Sequence, residues 1–434
     1  MTHLVLISDD SDDSPRFDYV NGTLHAEGIP TDKLAKHFDT PLYVYSRAAL
    51  TAAYQAYAQA CEGRRAAIHV AVKANSNLGV LNVFVRLGAG FDIVSGGELA
   101  RVLAAGGKAE NVVFSGVGKG AEEMRVALQA GVKCFNVESI PELDRLNEVA
   151  GSLGKRAPVS LRVNPNVDPK THPYISTGLK ANKFGVAFAE ARASYRAAAA
   201  LRNLQVIGID CHIGSQITEL SPYLDALDKV LDLVEQIEAD GIAIHHIDIG
   251  GGLGITYADE TPPAIGDFVA ALFARLDARG HGQREVYFEP GRSLTGNAGI
   301  LLTRVKFLKP GEEKNFAIVD AAMNDLARPA MYEAYHAIVP VKEHSVHASA
   351  IYDVVGPVCE SGDWLGRERT LAIAPGELLA IRSAGAYGFV MSSNYNTRPR
   401  AAEVLVDGVN AYLVRPRETL ENLFGDEAIL PDAE

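Results

Sequence analysis

Residues 66–75 read Ala66-Ala67-Ile68-His69-Val70-Ala71-Val72-Lys73-Ala74-Asn75. Small and β-branched residues make the first seven a buried strand, and the polar end makes a turn. The strand delivers a single lysine where it stops. Desolvation there disfavours an ammonium and leaves an amine able to condense with a carbonyl group. A lysine stem merely snorkelling past a strand end reads the same in isolation. What ends the later strands decides between the two.

A rhythm sets in from this stretch. Strand-like runs recur near residues 67–72, 90–94, 111–115, 132–137, 158–163, 206–211, 244–249 and 285–289. Helical patterns separate most of them, among them Gly97 to Ala105, Ala121 to Ala130, Ser139 to Ala150, Pro222 to Ala239 and Ile265 to Ala278. Strands alternating with helices pair in parallel, and eight is the number that closes a (β/α)8 barrel of the TIM type. A doubly wound open sheet is the competing architecture. After Pro290 the rhythm changes. Leu301–Leu308, Phe316–Val319, Ala350–Val355, Leu378–Ser383 and Glu403–Val406 read as strands broken by Gly, Pro and Asn turns, with Lys309-Pro310-Gly311 one such turn. Upstream, Pro41-Leu42-Tyr43-Val44-Tyr45 reads as a strand, and Ser46 caps an alanine-rich helix running to about Cys61. The expected division is residues 1–45, lending a strand to a β-rich domain; 46–295, the barrel; and 296–434, the rest of the β domain.

Composition narrows the class. A chain of 434 residues exceeds one ordinary core. Its 41 basic and 54 acidic residues give a net charge of -13, which argues against a nucleic-acid binder. No apolar run approaches the roughly 18 residues of a membrane span. The start, acidic and polar after a few apolar residues, is not a secretory leader, so a cytoplasmic location is expected. Cys61, Cys134, Cys211 and Cys359 are scattered without a CxxC pair, which fits a reducing compartment and neither a disulfide framework nor a zinc site.

Barrels do their chemistry at the carboxyl ends of the strands. Strand one ends in Lys73, and strand two near Asp92 and Ser95-Gly96-Gly97-Glu98. Strand six ends in Cys211-His212-Ile213-Gly214-Ser215-Gln216, strand seven in Asp248-Ile249-Gly250-Gly251-Gly252, and strand eight in Glu289-Pro290-Gly291-Arg292. Three glycines without Cβ atoms can bring backbone N–H groups close to an anion; a tight turn is the plainer reading. His212 suits a metal ligand, a general base or a ring stacked on a flat cofactor, but no second ligand stands at metal spacing. Cys211 should point away from it by strand alternation. Glu289 either pairs with Arg292 or holds a proton on a heterocyclic nitrogen through a charge-assisted hydrogen bond. An amine, an anion cup, a ring platform and a carboxylate for a ring nitrogen together describe a site for pyridoxal 5'-phosphate.

The motifs AVKANSN, GFDIVSGGELARVLAAG, STGLKANKFG, HIGSQI, IDIGGGLGI, EPGRSLTGNAG, VVGPVCESGDWLG and SAGAYGFVMSSNYNTRPR follow in order from about residue 40 to about 410. In them the sequence resembles the diaminopimelate decarboxylases, pyridoxal-phosphate enzymes of the alanine-racemase-like fold related to ornithine and arginine decarboxylases. The resemblance implies that Lys73 carries the cofactor through its amine and that His212 stacks on the ring. It implies that Ser215 and Gly250, Gly251 and Gly252 help hold the phosphate, and that Glu289 pairs with the ring nitrogen, with Pro290, Gly291 and Arg292 adjoining the cofactor. Arg292, Arg328, Tyr332, Glu360 and Tyr387 would contact the amino-acid substrate, Tyr387 also lying near the cofactor. Cys359 would come from the partner subunit of a homodimer and donate a proton. On its own, Cys359 reads as a buried small hydrophobe, Arg328 and Tyr332 as one face of a surface helix, and Tyr387 as packing for a turn. Rival activities on the same scaffold are decarboxylation of ornithine, arginine or a carboxylated polyamine, and amino-acid racemisation.

Overall fold

The computed structural model describes residues 4–5, 17–175, 177–178, 182–343 and 346–431. The other positions, including Ser176 and residues 179–181 of the STGLKANKFG motif and most of the N-terminal acidic segment, lie outside the described residues. The chain divides into two compact units, Leu50–Gly296 and Met1–Ala49 with Asn297–Glu434.

Leu50–Gly296 is a closed parallel barrel. Its strands are β1 Ala66–Ala71, β2 Gly90–Ile93, β3 Val112–Phe114, β4 Cys134–Val137, β5 Ala157–Asn164, β6 Leu204–Asp210, β7 His246–Asp248 and β8 Glu285–Phe288. Each pairs in parallel with the next, β8 pairs with β1, and β4–β5 completes the ring, so the sheet has no gap. This is the (β/α)8 barrel that the alternation predicts, and closure excludes the open sheet. The helices fall where the 3.6-residue periodicity puts them: Gly96–Ala104, Ala121–Ala130, Ile140–Ser152, Ser221–Ala239 and Ile265–Ala278, with Leu78–Arg86 and Phe188–Ala200 between others. Ser95 and Glu98, noted at the end of β2, form the helix start: Ser95 Oγ accepts from the Glu98 N–H and Glu98 Oε2 accepts from the Val94 N–H.

The floor of the barrel is aromatic and histidine-rich. The Tyr287 ring stacks on His246 at 4.2 Å and meets His69 edge-on at 4.7 Å. Neighbouring strands yield to these rings: a Cβ on Gly208 would lie 2.1 Å from His246, and one on Gly90 would lie 2.4 Å from His69.

The other unit is built on a mixed sheet. Leu42–Ser46 lies between Gly299–Lys309, antiparallel, and Ala402–Asp407, parallel. Gly299–Lys309 continues to Asn315–Val319, Ala350–Val355 and Trp364–Leu371, and Leu378–Ile381 pairs alongside. The sequence signal is weak for Trp364–Leu371, whose Arg367, Glu368 and Arg369 break the apolar alternation at a sheet edge. Ser46 caps the helix Arg47–Ala60 through Ala49 N–H at 3.0 Å and donates to the buried Glu27 at 2.6 Å.

Candidate active site

β1 ends one residue before a 3-10 turn, Val72–Ala74, and the turn aims Lys73 at the end of β2. There the ammonium pairs with Asp92 Oδ2, a carboxylate with no exposed surface. Sequence reading places Asp92 at a strand end and assigns it no role; parallel β1–β2 pairing brings it beside the lysine, with Ala71 opposite Asp92.

Three further carboxylates converge at the ends of β6, β7 and β8. Asp210 and Asp248 stand opposite one another in the β6–β7 register, and Glu289 follows β8. One oxygen of each lies within 4.8 Å of the other two, and none of the three residues is more than 6% exposed. Asp248 is the best supported: Oδ1 accepts from Gly250 N–H at 2.9 Å, and Oδ2 lies 3.5 Å from Asn136 Nδ2. Glu289 Oε1 and Asp210 Oδ1 have no hydrogen-bond partner. Burial first, then Asp248, Asp92 and Asp210, push the Glu289 carboxyl well above its ordinary range, while Lys73 opposes. Burial pushes Asp248 up to about 6, and burial followed by Asp248 raises Asp210 strongly. Such a cluster is stable only with shared protons or an added cation.

β6 leads into His212. Burial, then Arg162 and Lys73, hold the imidazole well below its usual pKa, so it is neutral. Its Nδ1 accepts from Gly251 N–H at 3.2 Å, which leaves the proton on Nε2. The adjacent Cys211 lies among Tyr223, Leu227 and Val230 of the helix Ser221–Ala239, on the opposite side as alternation requires. Arg162 of β5 bonds the His212 carbonyl at 3.2 Å and pairs with buried Glu138 at 3.2 Å.

The glycine run has a steric cause that sequence alone did not supply. A Cβ on Gly251 would lie 2.1 Å from the Glu289 carbonyl, and one on Gly252, at φ +101°, would lie 2.3 Å from the Gly214 carbonyl. Two of its amides serve side chains, Gly250 to Asp248 and Gly251 to His212. Gln216 then stitches the β6 and β7 loops together, donating to the Ile255 carbonyl at 2.6 Å and accepting from its N–H at 3.1 Å. Ser215 Oγ faces Arg292 at 3.0 Å, and Arg292 reaches Tyr257 at 2.6 Å. Pro290 packs back on β1 through Ala71 N–H at 3.1 Å, and Gly291 leaves room for Ala71 and Ala74.

The remaining expected residues belong to the β-rich unit. Arg328 opens a short helix ending at Tyr332, and it is buried rather than on a surface face, 2.9 Å from His336 Nε2. Tyr387 has φ +54°, a backbone state that bulky residues seldom adopt. Cys359 is exposed, unlike Cys61, Cys134 and Cys211. Glu360 Oε1 accepts from Tyr395 Oη at 2.5 Å.

These residues fit pyridoxal phosphate by one test. An unpartnered, buried Glu289 oxygen among three other buried acids calls for a cationic N–H donor, and a protonated pyridine nitrogen is one. Residues 47–296 match the family described as pyridoxal-dependent decarboxylase, pyridoxal binding domain, which sets the class. A diaminopimelate decarboxylase of Pseudomonas aeruginosa is 60% identical over 96% of this chain and 99% of its own. The solved diaminopimelate decarboxylase of Helicobacter pylori, complexed with L-lysine, is 40% identical with a TM-score of 0.87, covering 91% of this chain and 98% of its own. That of M. jannaschii, also with L-lysine, is 38% identical with a TM-score of 0.91, covering 97% and 99%. The chain belongs to the diaminopimelate decarboxylase family.

Proposed function

We propose that this enzyme uses pyridoxal 5'-phosphate to decarboxylate meso-2,6-diaminopimelate to L-lysine and CO2, the last step of lysine biosynthesis. The observation that carries the reading is the strand-end Lys73 sharing a barrel mouth with Glu289, whose buried oxygen lacks a partner. The bound cofactor would supply an electron sink for the pair left when the Cα–carboxylate bond breaks. Lys73 would hold the cofactor, release it to the substrate amine and recapture it, with Asp92 keeping the freed ammonium in place. Glu289 would keep the ring nitrogen protonated. His212, neutral and fixed through Nδ1, would offer an uncharged face to the ring. Ser215, the glycine run and the segment Pro290–Arg292 would seat the phosphate side.

Substrate choice would rest on the β-rich unit together with Arg292 of the barrel unit. Arg328 and Arg292 suit carboxylates and Glu360 suits an ammonium, the charges of a second amino-acid head. Tyr332 and Tyr387 would wall the substrate. Ornithine and lysine lack the distal carboxylate and would leave a guanidinium without its substrate carboxylate, a penalty of up to about 10⁴-fold in selectivity. The site would be shared across a homodimer, Cys359 of the partner subunit delivering a proton to Cα. The four free cysteines fit a cytoplasmic enzyme.

The test is incubation with meso-diaminopimelate, ornithine and arginine, assaying CO2 and products. Lysine with stoichiometric CO2 from diaminopimelate alone is expected. Isomerised substrate without CO2 would establish a racemase instead. Borohydride reduction and peptide mapping should label Lys73, and a label elsewhere sinks the cofactor assignment. Arg328→Lys should raise KM for diaminopimelate about tenfold or more while leaving the cofactor absorbance intact.

A further inference from the structure

Two turns of the β-rich unit meet at the residues assigned to substrate and proton. The first, residues 356–363, carries Cys359 and Glu360. Buried Asp363 ties it down: Oδ2 accepts from Val358 N–H and Oδ1 from Met323 N–H, both at 2.7 Å. The second, residues 393–398, carries Tyr395 and Asn396. Buried Asn324 ties that one down, donating to the Ser393 carbonyl at 3.3 Å and accepting from Arg398 Nε at 2.9 Å, while Ser393 N–H donates to the Asn324 carbonyl at 2.9 Å. Met323 and Asn324 are consecutive, so both turns hang from one short segment.

Two hydrogen bonds then join turn to turn. Tyr395 Oη donates to Glu360 Oε1 at 2.5 Å, and Asn396 Oδ1 accepts from Cys359 N–H at 3.1 Å. Asn396 and Thr397 both sit at positive φ, +57° and +53°. Asparagine tolerates that region; threonine, β-branched, adopts it only under strain. A carboxylate on an exposed turn has many rotamers, and a hydrogen bond from the neighbouring phenol favours one of them before any ligand arrives.

We propose that Tyr395 and Asn396 are positioning residues for the decarboxylation: Tyr395 orients the Glu360 carboxylate for the distal ammonium of the substrate, and Asn396 sets the backbone that presents Cys359. This rests on the reading that Glu360 meets substrate. Tyr395 acts through Glu360 and makes no substrate contact of its own.

The experiment compares Tyr395→Phe, Glu360→Gln and the double variant as holoenzymes. Tyr395→Phe keeps the ring and removes one hydroxyl. It should raise KM for meso-diaminopimelate about 5–10-fold, the size of one ordinary net hydrogen bond, with kcat within about twofold. Cofactor absorbance and melting temperature should not change. The double variant should be no worse than Glu360→Gln alone, because no carboxylate charge is left for the hydroxyl to orient toward the distal ammonium. With 2-aminopimelate, which lacks the distal amine, the effect of Tyr395→Phe should vanish. An unchanged KM in Tyr395→Phe, or additive losses in the double variant, overturns the proposal while Glu360 keeps its role. If Glu360→Gln itself leaves KM unchanged, the reading beneath the proposal fails and the proposal with it.

Discussion

At the scale of single residues, the decisive quantity is uncompensated charge. Glu289 is buried, one of its oxygens has no hydrogen-bond partner, and three more carboxyls, Asp248, Asp92 and Asp210, crowd it. Ionising it without a cation is unfavourable, and on the proposed reading a protonated ring nitrogen is that cation. Glu289→Ala should therefore still take up pyridoxal phosphate through Lys73, with turnover depressed about 100-fold or more. Visible absorbance of the reconstituted variant and its CO2 release check this; full turnover would contradict the electron-sink role. Motif resemblance points to Lys73, His212 and Glu289. It passed over Asp92 and Asp210, because a lone aspartate at a strand end carries no local signature until a neighbouring strand supplies its partner.

At the scale of elements, loops after adjacent strands are fitted to one another with little slack. Gly251 faces the Glu289 carbonyl, which is backbone and cannot swing aside. Gly251→Ala should force the β7 and β8 ends apart and weaken pyridoxal phosphate binding more than about tenfold, read by fluorescence titration of the apoenzyme. The barrel floor makes a second element-scale prediction. Burial, then Lys133, lowers both His69 and His246 to about 3, with His246 adding to the first and His245 to the second. A folded-state pKa below the unfolded value of about 6.5 means the neutral ring is favoured in the fold. The associated stability is whole above pH 6.5 and drains away as pH falls toward 3. His246→Phe should make that decline shallower by up to about 1.4 kcal/mol per pH unit. Any overpacking against Gly208 would cost about 1–3 kcal/mol equally at every pH, which separates the two effects. Urea midpoints followed by circular dichroism at pH 7, 6 and 5 measure both. An unchanged slope would show that His246 is not the titrating group.

At the scale of the whole molecule, the proposal divides the catalytic set between the barrel unit, with Lys73, His212 and Glu289, and the β-rich unit, with Arg328, Cys359, Glu360 and Tyr387. A homodimer that exchanges these halves has a distinctive signature. Lys73→Ala and Cys359→Ala should each be severely impaired, and equal co-expression should restore about a quarter of the normal activity, since half the dimers are mixed and each holds one intact site. No recovery would place both residues in one chain's site.

The sequence by itself determined the eightfold alternation of strands and helices, because those periods are local properties; closure of the ring, which excludes an open sheet, was decided by the tertiary pairing of the strands. The sequence likewise determined the family, because ordered motifs survive without knowledge of their contacts. Tertiary structure alone decided which distant groups share a volume. Asp92, Asp210, Asp248 and Glu289 come from four strands, and the turns bearing Glu360 and Tyr395 are 35 positions apart. Their energies depend on separation and burial, and neither is written in the order of residues along the chain.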